Sequence, residues 1–181
     1  MNATVTLYMP EVDAAVIDLL HSVYGTVHHT PPLLRVTLPD DEDVLTPEDL
    51  HELLVTDFNV PVTLLVTPAL HPLYPEAWLA EALGILPKGH YDLERLLFKV
   101  SQYAPALEKE LKRRLDAVLT PSLIQTVLAF ASHQMNVSLS AKALYMHRNT
   151  MHYRLSSFAK ITQLDPYRFE VLALMYRFYH R

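Results

Sequence analysis

The 181 residues, half of them apolar and 19% charged, suffice for one large or two small folded domains and do not have the composition of a disordered chain. Cysteine is absent, which excludes disulfides and thiolate metal sites. The start, MNATVTLYMPEVD, has no basic signal-peptide region, and the apolar stretch from Val60 to Leu70 is broken by Pro61 and Pro68 and falls short of the roughly 20 residues a membrane span needs. A soluble, cytoplasmic protein with no membrane partner is therefore expected. The net charge of -5 divides unevenly: residues 1–100 hold 4 Lys/Arg against 15 Asp/Glu, and residues 101–181 hold 11 against 5. The front is acidic and the back basic, so only the back suits a polyanionic partner.

From the N-terminus, Thr4–Met9 alternates like a strand, and Glu11–Tyr24 places Val12, Ala15, Val16, Leu19, Leu20 and Val23 at helical spacing before Gly25, a C-cap. Leu33–Leu38 is a second strand. The acidic run Asp40–Asp43 reads as a solvated loop, with cation binding as the sharper alternative. Thr46-Pro47-Glu48-Asp49 is a helix start, with Thr as N-cap, Pro in the first turn and acids against the positive end of the dipole; that helix is expected to reach Asp57. Val60–Thr67 is a third strand, with Pro61 marking an edge position or a residue ahead of the strand. Tyr74–Leu83 is a short helix ending at Gly84. From Tyr91 to Leu119 the spacing is helical throughout, interrupted only at Pro105.

The β-α-β-α-β order predicts a small sheet with helices packed on it over residues 1–90, with a sensory or dimerisation role; 91–119 would be a helical connector and 120–181 an all-α domain, making the fold class α+β. With 3 glycines and neither GxGxxG nor GxxxxGK[ST], no phosphate cradle is visible. His28-His29, with His21 upstream, lack metal-ligand spacing, and no nucleophile has a base in reach, so neither metal site, cofactor nor catalytic residue is expected.

Thr120-Pro121 repeats the capping signal and opens three helical segments: Thr120–His133, then Ser138–Leu144 after the polar turn Gln134–Val137, then Arg148–Lys160 after Tyr145-Met146-His147. A short helix, a tight turn and a second amphipathic helix are a helix-turn-helix pattern. Stepping about 100° per residue, Met151, Leu155, Phe158 and Ile161 form the inward stripe. The outward stripe is Asn149, Tyr153, Ser156 and Lys160, flanked by His152, Thr150 and Ser157, with no acid among them. Phe169, Leu172, Met175, Tyr176, Phe178 and Tyr179 read as core of a last helix, with surplus aromatic surface available as a dimer face.

The segment Leu139–Phe158, LSAKALYMHRNTMHYRLSSF, resembles the C-terminal helix-turn-helix of PucR/CdaR-type transcription regulators, through His147-Arg148-Asn149-Thr150 and Tyr153-Arg154-Leu155. It is more distantly similar to the Fis DNA-binding helices. One helix-turn-helix reads only a few base pairs, so a homodimer on paired half-sites is expected; the likeness, which runs from about Leu123 to Leu174, implies double-stranded DNA as partner. It puts Arg148, Asn149, Thr150, His152 and Tyr153 on the DNA, with His147, Ser156 and Lys160 beside them. Arg154 lies toward the core flank, where a structural or backbone-phosphate role is expected; Tyr153 is open between packing and contact, and Asn149 between capping and base contact. Position 152 departs from the family, which often has Arg there. Such regulators carry a larger sensory region, often with a degenerate GGDEF-like domain, of which residues 1–100 would be a reduced version, and a small-molecule effector is consistent with that. The competing readings are a protein-interaction or ligand-sensing module whose helix-turn-helix serves assembly, and an enzyme built on the α/β half.

Overall fold

In the computed structural model, which describes residues 4–38, 45–67 and 71–180, the alternating N-terminal segment forms β1 (Thr4–Tyr8), the middle strand of a sheet ordered β2-β3-β1-β4-β5. The other strands are β2 (Val27–Thr30), β3 (Leu33–Thr37), β4 (Thr63–Thr67) and β5 (Gly89–Asp92). All neighbours pair antiparallel except β4 and β5, which run parallel. Register sorts the side chains: Val5 lies opposite Val36 and Val66, and Thr6 opposite Arg35 and Leu65. On the Val5 face, Leu7, Leu34, Val36 and Leu64 pack with Val16 and Leu20 of α1 (Ala14–Tyr24) and Leu50 and Leu54 of α2 (Pro47–Thr56). The Thr6 face receives α3 (Glu76–Ile85), whose Glu76 meets Arg35 at 2.7 Å and whose Trp78, Leu79 and Leu83 are buried.

Local caps close several of the helix ends. The Asp13 carboxylate accepts from the Ala15 amide at 2.9 Å, and Gly25 closes α1 at φ 78°, where a side chain is disfavoured. Thr46 and Asp49 form a reciprocal capping box, with the Asp49 amide donating to the Thr46 hydroxyl at 3.1 Å and the Thr46 amide to the Asp49 carboxylate at 3.3 Å. The Tyr24 hydroxyl donates to the Leu45 carbonyl at 2.9 Å; burial, aided by the Asp49 charge, pushes its pKa up to about 12.

Four expectations need correction here. Glu11 and Val12 precede α1, because Asp13 caps it. Gly84 does not stop α3; the helix passes through it to Ile85, and the missing side chain admits the Tyr8 ring, whose hydroxyl oxygen would lie 2.7 Å from a Cβ at that position. Tyr91 and Asp92 belong to β5 and not to a helix, since Leu65 and Val66 of β4 pair with them. β2 was not foreseen at all. Pro61 lies ahead of β4, which is an interior strand. Asp40–Asp43 lie outside the described residues.

The chain divides into two compact units, residues 1–96 and 97–181, with the division inside α4 (Leu93–Tyr103). After α4 come α5 (Pro105–Val118), α6 (Pro121–Ser132), α7 (Val137–Ala143), α8 (Arg148–Thr162) and α9 (Phe169–Tyr179). Pro105 opens α5, where its missing N–H costs nothing. Thr120 caps α6, its hydroxyl accepting from the Leu123 amide at 3.3 Å. α6 packs on α7, α8 and α9 around the fully buried Phe130 and Phe158. This mixed α/β region followed by an all-α region is the α+β class expected from the element order. Among the described residues no single helix is long and apolar enough to cross a membrane.

Candidate nucleic-acid interface

The sequence from Asp116 to Asp165 contains no acid between those two residues, and α7 and α8 lie inside that stretch. α7 is capped by Asn136, whose side chain accepts from the Leu139 amide at 3.1 Å; the helix therefore starts at Val137, one residue before the expected Ser138–Leu144 segment. Its buried face is small, Ser140 and Ala141, and the Ser140 hydroxyl donates back to the Asn136 carbonyl at 2.7 Å. Small residues let α7 lie close to its neighbours.

The chain then turns through Leu144–His147 into α8. His147 is the N-cap: its Nδ1 accepts from the Asn149 amide at 3.2 Å. Asn149, for which capping was an alternative, is instead in the first turn with its side chain exposed. Met151, Leu155 and Phe158 are buried as the wheel required, with the stripe completed by Thr162, while Ile161 is only half-buried. The Thr162 hydroxyl is accommodated there by donating to the Phe158 carbonyl at 2.8 Å.

All eight residues that the sequence singled out, His147, Arg148, Asn149, Thr150, His152, Tyr153, Ser156 and Lys160, are solvent-exposed and come together on α8 and its cap. Tyr153 is 73% exposed, so it does not pack into the domain. Arg154 behaves differently. It is half-buried, and its guanidinium approaches the Thr126 hydroxyl of α6 at 3.5 Å; that hydroxyl, fully buried, donates in turn to the Ser122 carbonyl at 2.7 Å. Arg154 thus faces α6 and is not part of the exposed surface. Lys142 on α7 is also exposed and adds a cation the sequence reasoning left out; its signal was only its place opposite the small buried face of a short helix.

Charge pairing decides where the basic surplus is available. On α5, Lys112 meets Asp116 at 2.8 Å and Arg114 pairs with Glu110; Arg177 of α9 pairs with Glu108. Those cations are neutralised locally. Lys142, Arg148 and Lys160 have no acidic partner among the described residues. The first turn of α8 also holds no acid, so the positive end of its dipole is not screened from an anion.

Residues 123–176 match the family model of the PucR C-terminal helix-turn-helix domain. This segment is a PucR-type helix-turn-helix domain. The PucR-type domain covers α6 to most of α9, and Arg148-Asn149-Thr150 and Tyr153-Arg154-Leu155 lie within it. Over the whole chain, the crystal structure of a regulator of polyketide synthase expression from Bifidobacterium adolescentis is similar at 20% identity, covering 98% of this chain and 79% of that one with a TM-score of 0.47. No curated protein matches the chain.

One further expectation is revised within the PucR-type domain. On α9, Leu172 and Met175 are core, but Phe169 is 71% exposed and Tyr176 42%, and both line an open groove with Ala131 and Ser132 of α6. Among the described residues no group of three or more His, Cys, Asp or Glu is placed to hold a metal ion. His28 and His29, adjacent on β2, point to opposite faces of the sheet, opposite Arg35 and Leu34, and His21 bonds the Gly25 carbonyl at 2.7 Å.

Proposed function

We propose that the chain is a sequence-specific DNA-binding transcription regulator in which α8 enters the major groove. The observation that carries this is the exposed face of α8, a surface of amide, hydroxyl, imidazole and unpaired cationic groups with no acid, on a domain of PucR type. Such a face can bond both phosphates and base edges without repulsion. Arg148, Lys160 and Lys142 serve the phosphates, and Asn149, Thr150, His152, Tyr153 and Ser156 face the bases. His147 both caps the helix and lies at the groove entrance. One helix reads only a few base pairs, so a homodimer on two half-sites about one helical turn apart is the working form. The sheet unit serves sensing or dimerisation, and a small-molecule effector acts on it.

Selection of bound fragments from a genomic pool, followed by titration, tests this. Arg148→Ala should weaken binding to all sequences and reduce the salt slope by about 1, and Asn149→Ala should relax specificity at one position. No enrichment of any fragment by the intact chain would instead favour an assembly role for the helix-turn-helix.

A further inference from the structure

The turn between α7 and α8 holds a residue for which the folded chain gives no use. Tyr145 has φ 51°, in the left-handed region, and is 99% exposed. Its place is the left-handed position of a Schellman close on α7: the Tyr145 amide donates to the Lys142 carbonyl at 3.1 Å and the Met146 amide to the Ala141 carbonyl at 2.9 Å. Glycine or asparagine is the ordinary occupant of that position, because a Cβ there crowds the following carbonyl. A tyrosine therefore costs stability through its backbone, and with its ring in water no packing offsets that cost. The ring is also the most exposed of the large apolar side chains described.

Its surroundings say what it can meet. Tyr145 is two residues before the His147 cap, so its Cα lies within about 7.6 Å of that of His147. The segment is acid-free, with Lys142 on one side and Arg148 on the other, neither with an acidic partner among the described residues. A neutral donor between two cations that have no acidic partner among the described residues, two residues ahead of the α8 cap, is suited to an anionic oxygen.

Resting on the DNA-binding reading above, we propose that Tyr145 is a DNA-contacting residue whose phenol hydroxyl donates to a backbone phosphate beside the groove that α8 enters. It positions the reader and does not select bases. Being uncharged, it displaces no counterion, and this separates it from Lys142 and Arg148.

The test uses the full chain, a duplex of about three helical turns recovered by the wild type from random-sequence DNA, and an unrelated duplex of equal length. Tyr145→Gly should raise Tm by a few degrees and weaken binding to both duplexes about tenfold, with the slope of log K against log salt unchanged. Tyr145→Phe should keep the wild-type Tm and lose a similar factor. Wild-type affinity in both variants would overturn the role of Tyr145 and leave DNA reading by α8 intact. A weak Tyr145→Gly beside a normal Tyr145→Phe would overturn the hydroxyl contact, and loss confined to the selected duplex would make it a base contact. A lowered Tm in Tyr145→Gly would mark a structural residue and overturn the assignment. Failure of the wild type to enrich any sequence would overturn both this proposal and the reading beneath it.

Discussion

Arg148 and Arg154 stand in the same helix within one short motif, and their surroundings give them different work. Arg148 is exposed and has no acidic partner among the described residues, whereas Arg154 is half-buried and turns to the buried Thr126 hydroxyl of α6. Arg154→Ala should cost about 1 kcal/mol, a Tm drop of roughly 4–8 °C, because a buried hydroxyl loses a partner. Arg148→Ala should leave Tm unchanged in the same calorimetric scan. A like separation applies to His147, whose Nδ1 caps α8. His147→Asn should retain thermal stability, while His147→Ala should lose about 1 kcal/mol. The motif residues were legible from the sequence, and the wheel put Arg154 toward the core flank. The partner, Thr126 on another helix 28 residues away, was not legible, because nothing local to either residue specifies the other.

Elements are tied together by contacts of the same non-local kind. α5 and α9 are clasped by Asp116, which accepts from Lys112 and from the Tyr179 hydroxyl, both at 2.8 Å, while the Lys112 ammonium lies 4.8 Å from the Tyr179 ring centroid. Burial works to raise the Asp116 pKa, but the hydrogen bonds from Lys112 and Tyr179 and the Lys112 charge outweigh it and hold the carboxyl below its usual value. A depressed folded-state pKa contributes stability above the unfolded value, near 3.8, and loses it as pH falls through the lower folded value. The stability difference between wild type and Asp116→Asn, followed by urea unfolding, should therefore be constant above about pH 5 and shrink below about pH 4. In the sheet unit, Gly84→Ala gains helix propensity but drives a methyl into the Tyr8 ring, so it should destabilise by about 1–2 kcal/mol. In a Tyr8→Ala background the same change should stabilise. The long amphipathic helices and three of the strands were readable from periodicity, because each carries an apolar face to the core. β2, VHHT, and β5, GHYD, were not: four-residue edge strands with polar side chains have no alternation to read, and only pairing with β3 and β4 makes them strands.

At the scale of the molecule the charge is divided by position along the chain and then again by pairing. The acidic front half keeps the net charge negative, yet the cations left without acids among the described residues include Lys142, Arg148 and Lys160 on the helix-turn-helix. DNA binding should accordingly weaken with salt at a log–log slope of roughly -3 for each helix-turn-helix engaged, measured by fluorescence anisotropy on duplex DNA. A slope near zero would contradict phosphate contact by these three residues. The amino-acid sequence alone determined the two-part division of charge, the α+β order, the helix starts at Thr46 and Thr120, and the helix-turn-helix, since each is a matter of composition or spacing over a few adjacent residues. Only the tertiary structure decided which cations are left unpaired, that Arg154 braces α6 while its neighbours face solvent, that Gly84 makes room for Tyr8, and that Tyr145 stands in the left-handed turn with nothing against it. Those outcomes depend on which residues distant in sequence come to share a surface, and packing of the whole chain sets that.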